Sequence, residues 1–337
     1  MAAKYAAVLP FIAGALAADA SFESIQPGFS SIVTPNSSIQ LVLENNSYPF
    51  AHEAPVYLPS TGDLFVVANY QTPTGGQPIQ ISRISHDASS DRYTREIVPA
   101  DIPNANGAIN YNGQILFAAQ GSTSARSALI LMNPAEPYNT TVLLDNYKGR
   151  RFNSLNDLDV HSDGSIWFTD PTYGFVNGFS PEPELPNQVY RFDPATGDVR
   201  VVADHFGQPN GIAFSPDEEI VYISDTEGDS SLTLPATIYA FDIAYYSDAP
   251  YLINKRVFAF ADTGIPDGVK TDTEGRVYSG CGDGVHVWSP EGVLLGKIVL
   301  GSTSSNLCFA EPGVMFALNE ERLYRVTLDS SIEGTIL

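Results

Sequence analysis

The chain has 337 residues, of which 39 are acidic and 17 basic, so its formal net charge is −22. This negative charge argues against binding to nucleic acid or to an anionic membrane surface by charge attraction. The length allows either two average domains or one large repetitive β-domain. The 18 Phe and 17 Tyr, together with 27 Gly and 24 Pro, favour β-structure rich in turns. Nothing in the composition indicates an oligomeric state.

The start of the chain has the pattern of a secretory signal peptide. Lys4 precedes an apolar run from Tyr5 to Leu16, and Ala15-Leu16-Ala17 fits an A-x-A cleavage site. The run is shorter than the roughly 18 apolar residues that a membrane span needs, and no other stretch approaches that length. We therefore predict a signal peptide over residues 1–17, a mature domain over 18–337, and secretion.

Two further features of the sequence relate to the predicted secretion. Sequons at Asn36, Asn45 and Asn139 are compatible with N-glycosylation on a secretory route. The chain has two cysteines, Cys281 and Cys308, which cannot form a dense disulfide framework or a Cys-rich zinc site. Both a single disulfide and a pair of buried free thiols are consistent with the sequence.

One hairpin pattern recurs six times along the chain. Each unit begins with Asn, Asp or Glu at a strand entrance and continues with a short apolar run, a turn and a second apolar strand. In the third unit, Asn156-Asp157 precedes Leu158, Ser162-Asp163-Gly164 forms the turn, and Ile166 opens the second strand. The first aliphatic residues of the six second strands lie 51, 51, 54, 57 and 37 residues apart: Leu64, Ile115, Ile166, Ile220, Val277 and Val314.

Further strands lie between these hairpins, so that each unit of about 50 residues holds four strands. Six such units predict an all-β fold, a six-bladed β-propeller with four-stranded blades around a central channel. The last unit carries only three strands, and we expect the segment from Ile39 to Leu43 to supply the fourth and close the ring. A two-sheet sandwich array is the alternative, but it does not explain the recurring polar residue.

The innermost strands of a propeller line its channel, so the six polar entrance residues should converge. All carry oxygen and none is basic, which suits a hard cation such as Ca²⁺ better than zinc. Glu is a poor turn residue, so a metal role is favoured for Glu53. Turn capping is the favoured interpretation of Asn106 and Asn306, at the second and sixth positions. The six residues are Glu53, Asn106, Asn156, Asn210, Asp267 and Asn306.

The sequence gives weaker indications of a role for other candidate site residues. The chain has no G-x-S-x-G elbow, which argues against a nucleophilic serine. His52 is adjacent to Glu53, so strand alternation should turn its side chain to the opposite face, and packing is its expected role. Tyr173 and Phe175 either form an aromatic wall at the mouth of the pocket or pack within an inter-strand loop.

Four segments together resemble the gluconolactonase and regucalcin (senescence marker protein) family of calcium-dependent six-bladed propellers, in particular its secreted fungal and bacterial lactonases. The resemblance covers roughly residues 50–320, and each segment alone is weak, but their order and blade spacing are specific. The segments are His52-Glu53-Ala54-Pro55-Val56-Tyr57, Asn156-Asp157 with Phe168-Thr169-Asp170-Pro171-Thr172-Tyr173-Gly174, Pro209-Asn210-Gly211-Ile212, and Pro266-Asp267-Gly268-Val269.

The resemblance implies roles for five residues. Glu53, Asn210 and Asp267 would be calcium ligands, with Asn156 a further ligand or a substrate contact. Asp267 would also be a proton acceptor, and Asp157 would face the substrate. The family's Glu-Gly-Pro is Glu53-Ala54-Pro55 here and its usual Trp is Tyr57. We expect these two departures to affect packing more than ligation.

The resemblance, together with the ring of oxygen-bearing residues, implies a calcium-dependent hydrolase that opens a small lactone, of sugar type or other, by metal-assisted attack of water. Another divalent cation is the alternative to calcium. Either Asp267 or Asp157 would act as general base, with Asn156, Asp157 and Tyr173 as substrate contacts. The competing functions are hydrolysis of aryl esters or phosphotriesters, tailoring of a secondary-metabolite lactone, and calcium binding without catalysis.

Overall fold

The protein is a closed ring of six antiparallel sheets, as seen in a computed structural model that describes residues 20–69, 79–230, 233–247 and 249–335. The predicted signal peptide, residues 1–17, lies outside the described residues. In every sheet the strand that opens the sequence unit lies at one end of the strand order. The predicted six-bladed propeller is therefore confirmed, and we number its blades I to VI in chain order.

Two strands precede the first blade, with a 3-10 helix at Pro27–Ser31 between them: β1 (Ser21–Ser24) and β2 (Ser38–Glu44). Blade I consists of β3 (Glu53–Leu58), β4 (Asp63–Val67), β5 (Ile81–Asp87) and β6 (Arg92–Val98). Blade II consists of β7 (Ala105–Tyr111), β8 (Gln114–Ala119), β9 (Ala128–Met132) and β10 (Thr140–Leu144).

Blade III consists of β11 (Leu158–Val160), β12 (Ile166–Asp170), β13 (Gln188–Asp193) and β14 (Asp198–Ala203), with the helix α1 (Tyr173–Val176) after β12. Blade IV consists of β15 (Pro209–Phe214), β16 (Ile220–Asp225), β17 (Thr237–Tyr246) and β18 (Ala249–Phe260), with a 3-10 helix at Glu227–Ser230. Among the described residues, no helix has the length and apolar character to cross a membrane.

Blade V consists of β19 (Val269–Thr271), β20 (Val277–Cys281), β21 (Gly284–Trp288) and β22 (Leu294–Val299). Blade VI contains β23 (Leu307–Phe309), β24 (Val314–Asn319) and β25 (Arg322–Thr327).

The N-terminal segment completes the last two blades. Strand β2 pairs antiparallel with β25, with Ile39 opposite Val326, and supplies the fourth strand of blade VI as predicted. Strand β1 pairs with β22, with Phe22 opposite Ile298, and adds a fifth strand to blade V. The ring is therefore closed by hydrogen bonds between the two ends of the chain.

The apolar core lies between neighbouring blades. Strands β4 and β12 are buried along their whole length because each is covered on both faces. Trp167 of blade III meets Phe214 of blade IV edge to face, with ring centroids 5.5 Å apart. Cys281 and Cys308 are both buried free thiols, so the alternative without a disulfide holds.

Candidate functional site

A cavity of about 230 Å³ opens at the end of the channel where the inner strands begin. Five of the six predicted entrance residues line it, while the sixth, Asn306, is buried beside it. The cavity thus brings together the predicted residues Glu53, Asn156, Tyr173, Asn210 and Asp267. Its remaining lining residues are His52, Asn69, Asn106, Gln120, Val176, Asn177 and Ile265.

Glycines allow the inner strands to approach this closely. A Cβ atom on Gly107 would lie 2.5 Å from the carbonyl oxygen of Asn156, and one on Gly211 would lie 2.5 Å from that of Asp267. Contacts this short are not available to any other residue type. The glycine after a polar entrance residue therefore packs against the entrance residue of the next blade.

Hydroxyl groups lock neighbouring entrances together. The Thr169 hydroxyl donates to the carbonyl of Asn210 at 2.7 Å, and the Ser224 hydroxyl donates to the carbonyl of Asp267 at 2.7 Å. Both hydroxyls lie on the second strand of the preceding blade, so each blade fixes the backbone of the following entrance. The amide of Asp267 also donates to the carbonyl of Gly280 at 2.9 Å.

The inner strands are irregular at these entrances. Ala54 has φ 53°, in the left-handed region, and the pairing register of β3 with β4 shifts beyond Glu53. Side chains therefore do not alternate regularly along the start of β3. His52 lies one residue ahead of β3, outside the regular pleat, and both His52 and Glu53 line the cavity. The expectation that His52 packs on the opposite face is therefore wrong. Register shifts occur between Glu53 and Val56, between Ala105 and Ala108, and between Pro209 and Ile212.

Glu53 and Asp267 form a pair of carboxylates in the cavity wall. Glu53 is 2% exposed and accepts a hydrogen bond of 2.7 Å from the Asn306 side-chain amide. Burial and then the negative charge of Asp267 raise the pKa of Glu53 to about 8. A bound cation would offset both effects, because it favours the ionised carboxylate.

Two carboxamide oxygens also point to a cation. The Oδ1 atoms of Asn156 and Asn210 are buried and have no hydrogen-bond donor among the described residues. Leaving such an atom unsatisfied costs about 1–3 kcal/mol. With Glu53 and Asp267 they form an all-oxygen set that fits a hard divalent cation. No cluster of three or more His, Cys, Asp or Glu side chains suited to a metal occurs in the described part of the chain, so the amide oxygens are needed.

Tyr173 lies where α1 begins and lines the cavity beside this set. Its hydroxyl hydrogen-bonds to the Thr226 side chain and accepts a long bond of 3.5 Å from the Asn210 amide. Phe175, two residues further into the helix turn, is 49% exposed and is not among the lining residues. The aromatic wall therefore consists of Tyr173 without Phe175.

The structure does not bring Asp157 to the cavity. Its side chain is 2% exposed, and one carboxylate oxygen lies 3.5 Å from the ammonium nitrogen of Lys270. The other oxygen accepts from the amide of Leu158 at 2.9 Å. Lys270 lines a second, smaller cavity of about 40 Å³. Asp157 is thus placed as the partner of a buried lysine, whereas its predicted substrate contact has no support in this arrangement.

Two further lining residues, Gln120 and Asn69, could have been predicted from their positions in the sequence. Gln120 donates to the side-chain oxygen of Asn106 at 2.6 Å, and Asn106 donates to the carbonyl of Asn156 at 3.0 Å. Asn69 donates to Glu320 at 3.2 Å. Gln120 and Asn69 follow the second strands β8 and β4, whose ends lie beside the inner-strand entrances in an antiparallel pair. Polar residues at those ends were the available signal.

His52 is the one basic side chain among the described residues that line the cavity. Its Nδ1 lies 2.8 Å from a carboxylate oxygen of Glu320. Burial disfavours the charged ring, but the negative charges of Glu320, Glu53 and Asp267 outweigh it and raise the pKa of His52 to about 9.

Comparison with known proteins identifies relatives of this chain. The family model of the SMP-30/gluconolactonase/LRE-like region matches residues 53–316. The lactonohydrolase oryL of Aspergillus oryzae is 33% identical over 310 residues, which cover 85% of this chain and 68% of that protein. A gluconolactonase of Zymomonas mobilis is 33% identical over 219 residues, which cover 63% of this chain and 59% of that protein.

Solved structures show the same fold. A gluconolactonase from Xanthomonas campestris superposes with a TM-score of 0.74 at 25% identity, covering 94% of this chain and 99% of that one. Regucalcin from Agrobacterium tumefaciens, a calcium-binding protein, superposes with a TM-score of 0.60 at 16% identity, covering 89% and 96%. From the family match and the identity to these relatives, the chain belongs to the SMP-30/gluconolactonase/LRE-like family.

Proposed function

We propose that this protein is a lactonase that opens a small lactone with water and uses a divalent cation, calcium in the first place. The observation that carries the proposal is the convergence of two carboxylates and two unsatisfied amide oxygens on one cavity. The activities after which the relatives from Aspergillus oryzae and Zymomonas mobilis are named support it.

The cation would be held by Glu53, Asn156, Asn210 and Asp267. Their donor atoms are all oxygen, which favours calcium over zinc. A hard divalent cation held there would supply Lewis-acid polarisation of the lactone carbonyl.

Asp267 is best placed to accept the proton of the attacking water. It lines the cavity. Its backbone N–H donates to Gly280 and its backbone carbonyl accepts from Ser224, and these two hydrogen bonds fix its position. Water adds to the carbonyl carbon and gives one proton to this carboxylate. The bond to the ring oxygen then breaks, the ring oxygen takes up a proton, and the product is the hydroxy acid. Asp157 lies outside the cavity and is assigned no proton transfer.

The size and lining of the cavity favour a small, hydroxylated substrate. About 230 Å³ is less than the roughly 300–1,000 Å³ of pockets for drug-sized ligands. Carboxamides line much of the wall, namely Asn69, Asn106, Gln120 and Asn177. Amide groups both donate and accept hydrogen bonds, as hydroxyl groups require. This polarity fits a sugar-type lactone better than an aryl ester or a phosphotriester.

Titration of the released acid tests the proposal. We expect hydrolysis of D-glucono-1,5-lactone to exceed that of dihydrocoumarin and of an aryl ester, to stop with a chelator, and to return with added calcium. Glu53→Gln and Asp267→Asn should each lose at least tenfold in kcat/KM and the thermal shift induced by calcium. Glu321→Gln, at an exposed carboxylate, is the matched control.

Three results would contradict the proposal. Absence of turnover on every lactone at millimolar concentration, with calcium still bound, would indicate a non-catalytic calcium-binding propeller. Faster turnover of the ester than of both lactones would favour the ester hydrolase. Full activity after exhaustive removal of divalent cations would remove the metal from the mechanism.

We also propose that the protein is secreted and glycosylated. Asn36 and Asn139 are exposed and Asn45 is half-buried, so all three sequons can be reached at the surface. Protein secreted by a eukaryotic host should begin at Ala18 on N-terminal sequencing and should lose mass on treatment with an N-glycosidase. Retention in the cell with residues 1–17 intact would refute the proposal.

A further inference from the structure

The His52 side chain stands in the cavity wall beside the carboxylate pair. It is about one fifth exposed, and its Nδ1 is engaged by Glu320 at 2.8 Å. No described residue forms a hydrogen bond with Nε2, which is therefore the ring nitrogen available to a ligand. His52, Glu53 and Asp267 line the same cavity, so the ring lies in one wall with two of the predicted cation ligands.

Three separate parts of the chain hold this ring in place. Glu320 occupies the turn between β24 and β25 with φ 61°, and its backbone exchanges hydrogen bonds of 3.0 and 2.9 Å with Ala51. Its second carboxylate oxygen accepts from the amide of Asn69 at 3.2 Å. The arrangement fixes Nδ1 of His52 and leaves Nε2 without a hydrogen-bond partner among the described residues, in a side chain that lines the cavity.

A substrate hydroxyl is the group that suits Nε2. A hydroxyl both donates and accepts, so it can bond to this nitrogen whichever proton state the ring has. Because His52 is next to Glu53 in the chain, the hydroxyl must lie close to the carbonyl group that the cation would polarise. In a lactone, the nearest such position is the carbon adjacent to the carbonyl.

We infer that His52 contacts the substrate through Nε2 and selects lactones that carry a hydroxyl group adjacent to the carbonyl. Glu320 and Asn69 are positioning residues that act through His52. This inference rests on the proposed lactonase function and names the substrate class for that site. A buried polar group that loses its partner penalises the analogue lacking the hydroxyl.

The test compares D-glucono-1,5-lactone with its 2-deoxy analogue on the calcium-loaded enzyme. We expect the wild type to prefer the hydroxylated substrate by about 10-fold or more in kcat/KM. His52→Phe should lose that preference, because its kcat/KM should fall more on the hydroxylated lactone than on the 2-deoxy lactone. Glu320→Ala should lose most of it, and Glu320→Gln should retain it because its amide oxygen still accepts from Nδ1.

The control is His86→Phe, since His86 also pairs with a carboxylate, Asp91 at 2.9 Å, but lies outside the cavity. It should leave the preference unchanged. If His52→Phe does not fold, His52→Leu, which also cannot bond to a hydroxyl, replaces it. Equal losses on both lactones would show a merely structural role and overturn the inference. Absence of turnover on either lactone by the wild type would instead contradict the proposed function, so the two failures are distinguishable.

Discussion

Lys270→Met should be the most destabilising single change in the channel. Lys270 lies on β19, and its ammonium group is buried against Asp157 at 3.5 Å, with Asp159 and Glu53 also acting on it. Removing it leaves buried carboxylates without their cation. Breaking a buried ion pair from one side costs about 3–5 kcal/mol in the free energy of unfolding.

Proton uptake sets a ceiling on this cost, because a carboxyl group that binds a proton no longer needs a cation beside it. Burial already raises the pKa of Asp159 to about 7, so this residue is neutralised at little cost at pH 7. The loss should therefore be about 3–4 kcal/mol at pH 7. It should be smaller at pH 5, where Asp159 is protonated and one fewer buried charge is left without its cation.

Urea unfolding at pH 5 and pH 7 measures both values. Lys297→Met is the matched control, since Lys297 is also buried but its partners Asp262 and Asp283 have side chains 57% and 26% exposed. Water can solvate those carboxylates, so the control should lose only about 1 kcal/mol. Adding Asp157→Asn to Lys270→Met should recover at least half of the lost stability. A loss below about 1 kcal/mol at pH 7, or no recovery in the double variant, would refute the reasoning.

Three further predictions concern the backbone and the pH dependence. Burial raises the pKa of Asp170 to about 8. The stability that this residue contributes is therefore full below about pH 4 and is lost as the pH rises through 8. In calorimetry, the Tm of Asp170→Asn should fall less between pH 6 and pH 9 than the Tm of the wild type. Ala54→Gly should unfold within about 1 kcal/mol of the wild type in urea, whereas Ala54→Val should lose at least about 2 kcal/mol, because a β-branched residue is strained at φ 53°. A Cβ on Gly268 would lie 2.2 Å from the side chain of Asn306. Gly268→Ala should therefore weaken calcium binding at least tenfold in a calorimetric titration. Gly28→Ala, where the added Cβ would have 3.3 Å of clearance, should leave the affinity unchanged. Equal slopes of Tm against pH, equal stability of the two variants at position 54, or equal affinities of the two glycine variants would contradict these expectations.

The blades could be predicted because each repeats one local pattern. A polar entrance, an apolar run, a turn and a second strand are local features, and their spacing fixes the number of units. The closing strand β2 was also predictable, because blade VI lacked one strand. The fifth strand of blade V was not, since β1 has four residues and pairs with β22, which is more than 270 positions away.

Side-chain direction at the entrances was beyond prediction for a different reason. Strand alternation assumes a regular pleat, but the inner strands of three blades shift register where their entrance residues lie. His52 lies just ahead of β3, where the pleat has not begun, and it lines the cavity with Glu53. Asp157 is turned to Lys270, which is 113 positions away in the chain, so no local pattern could pair them. Residue types at the site were thus predictable, while their orientations depended on the fold.

The distribution of charge along the channel gives the physical argument for a cation. On one side of the channel, Lys270 pairs with Asp157 at 3.5 Å, and burial raises the pKa of Asp159 to about 7. Glu53 and Asp267 face the cavity, where burial and mutual repulsion raise the pKa of Glu53 to about 8. If the fold required neutral side chains at positions 53 and 267, amide side chains at both positions would make it equally stable. Two carboxylates beside two amide oxygens that lack donors would become favourable with a divalent cation, because Glu53, Asn156, Asn210 and Asp267 are all oxygen donors that could hold it.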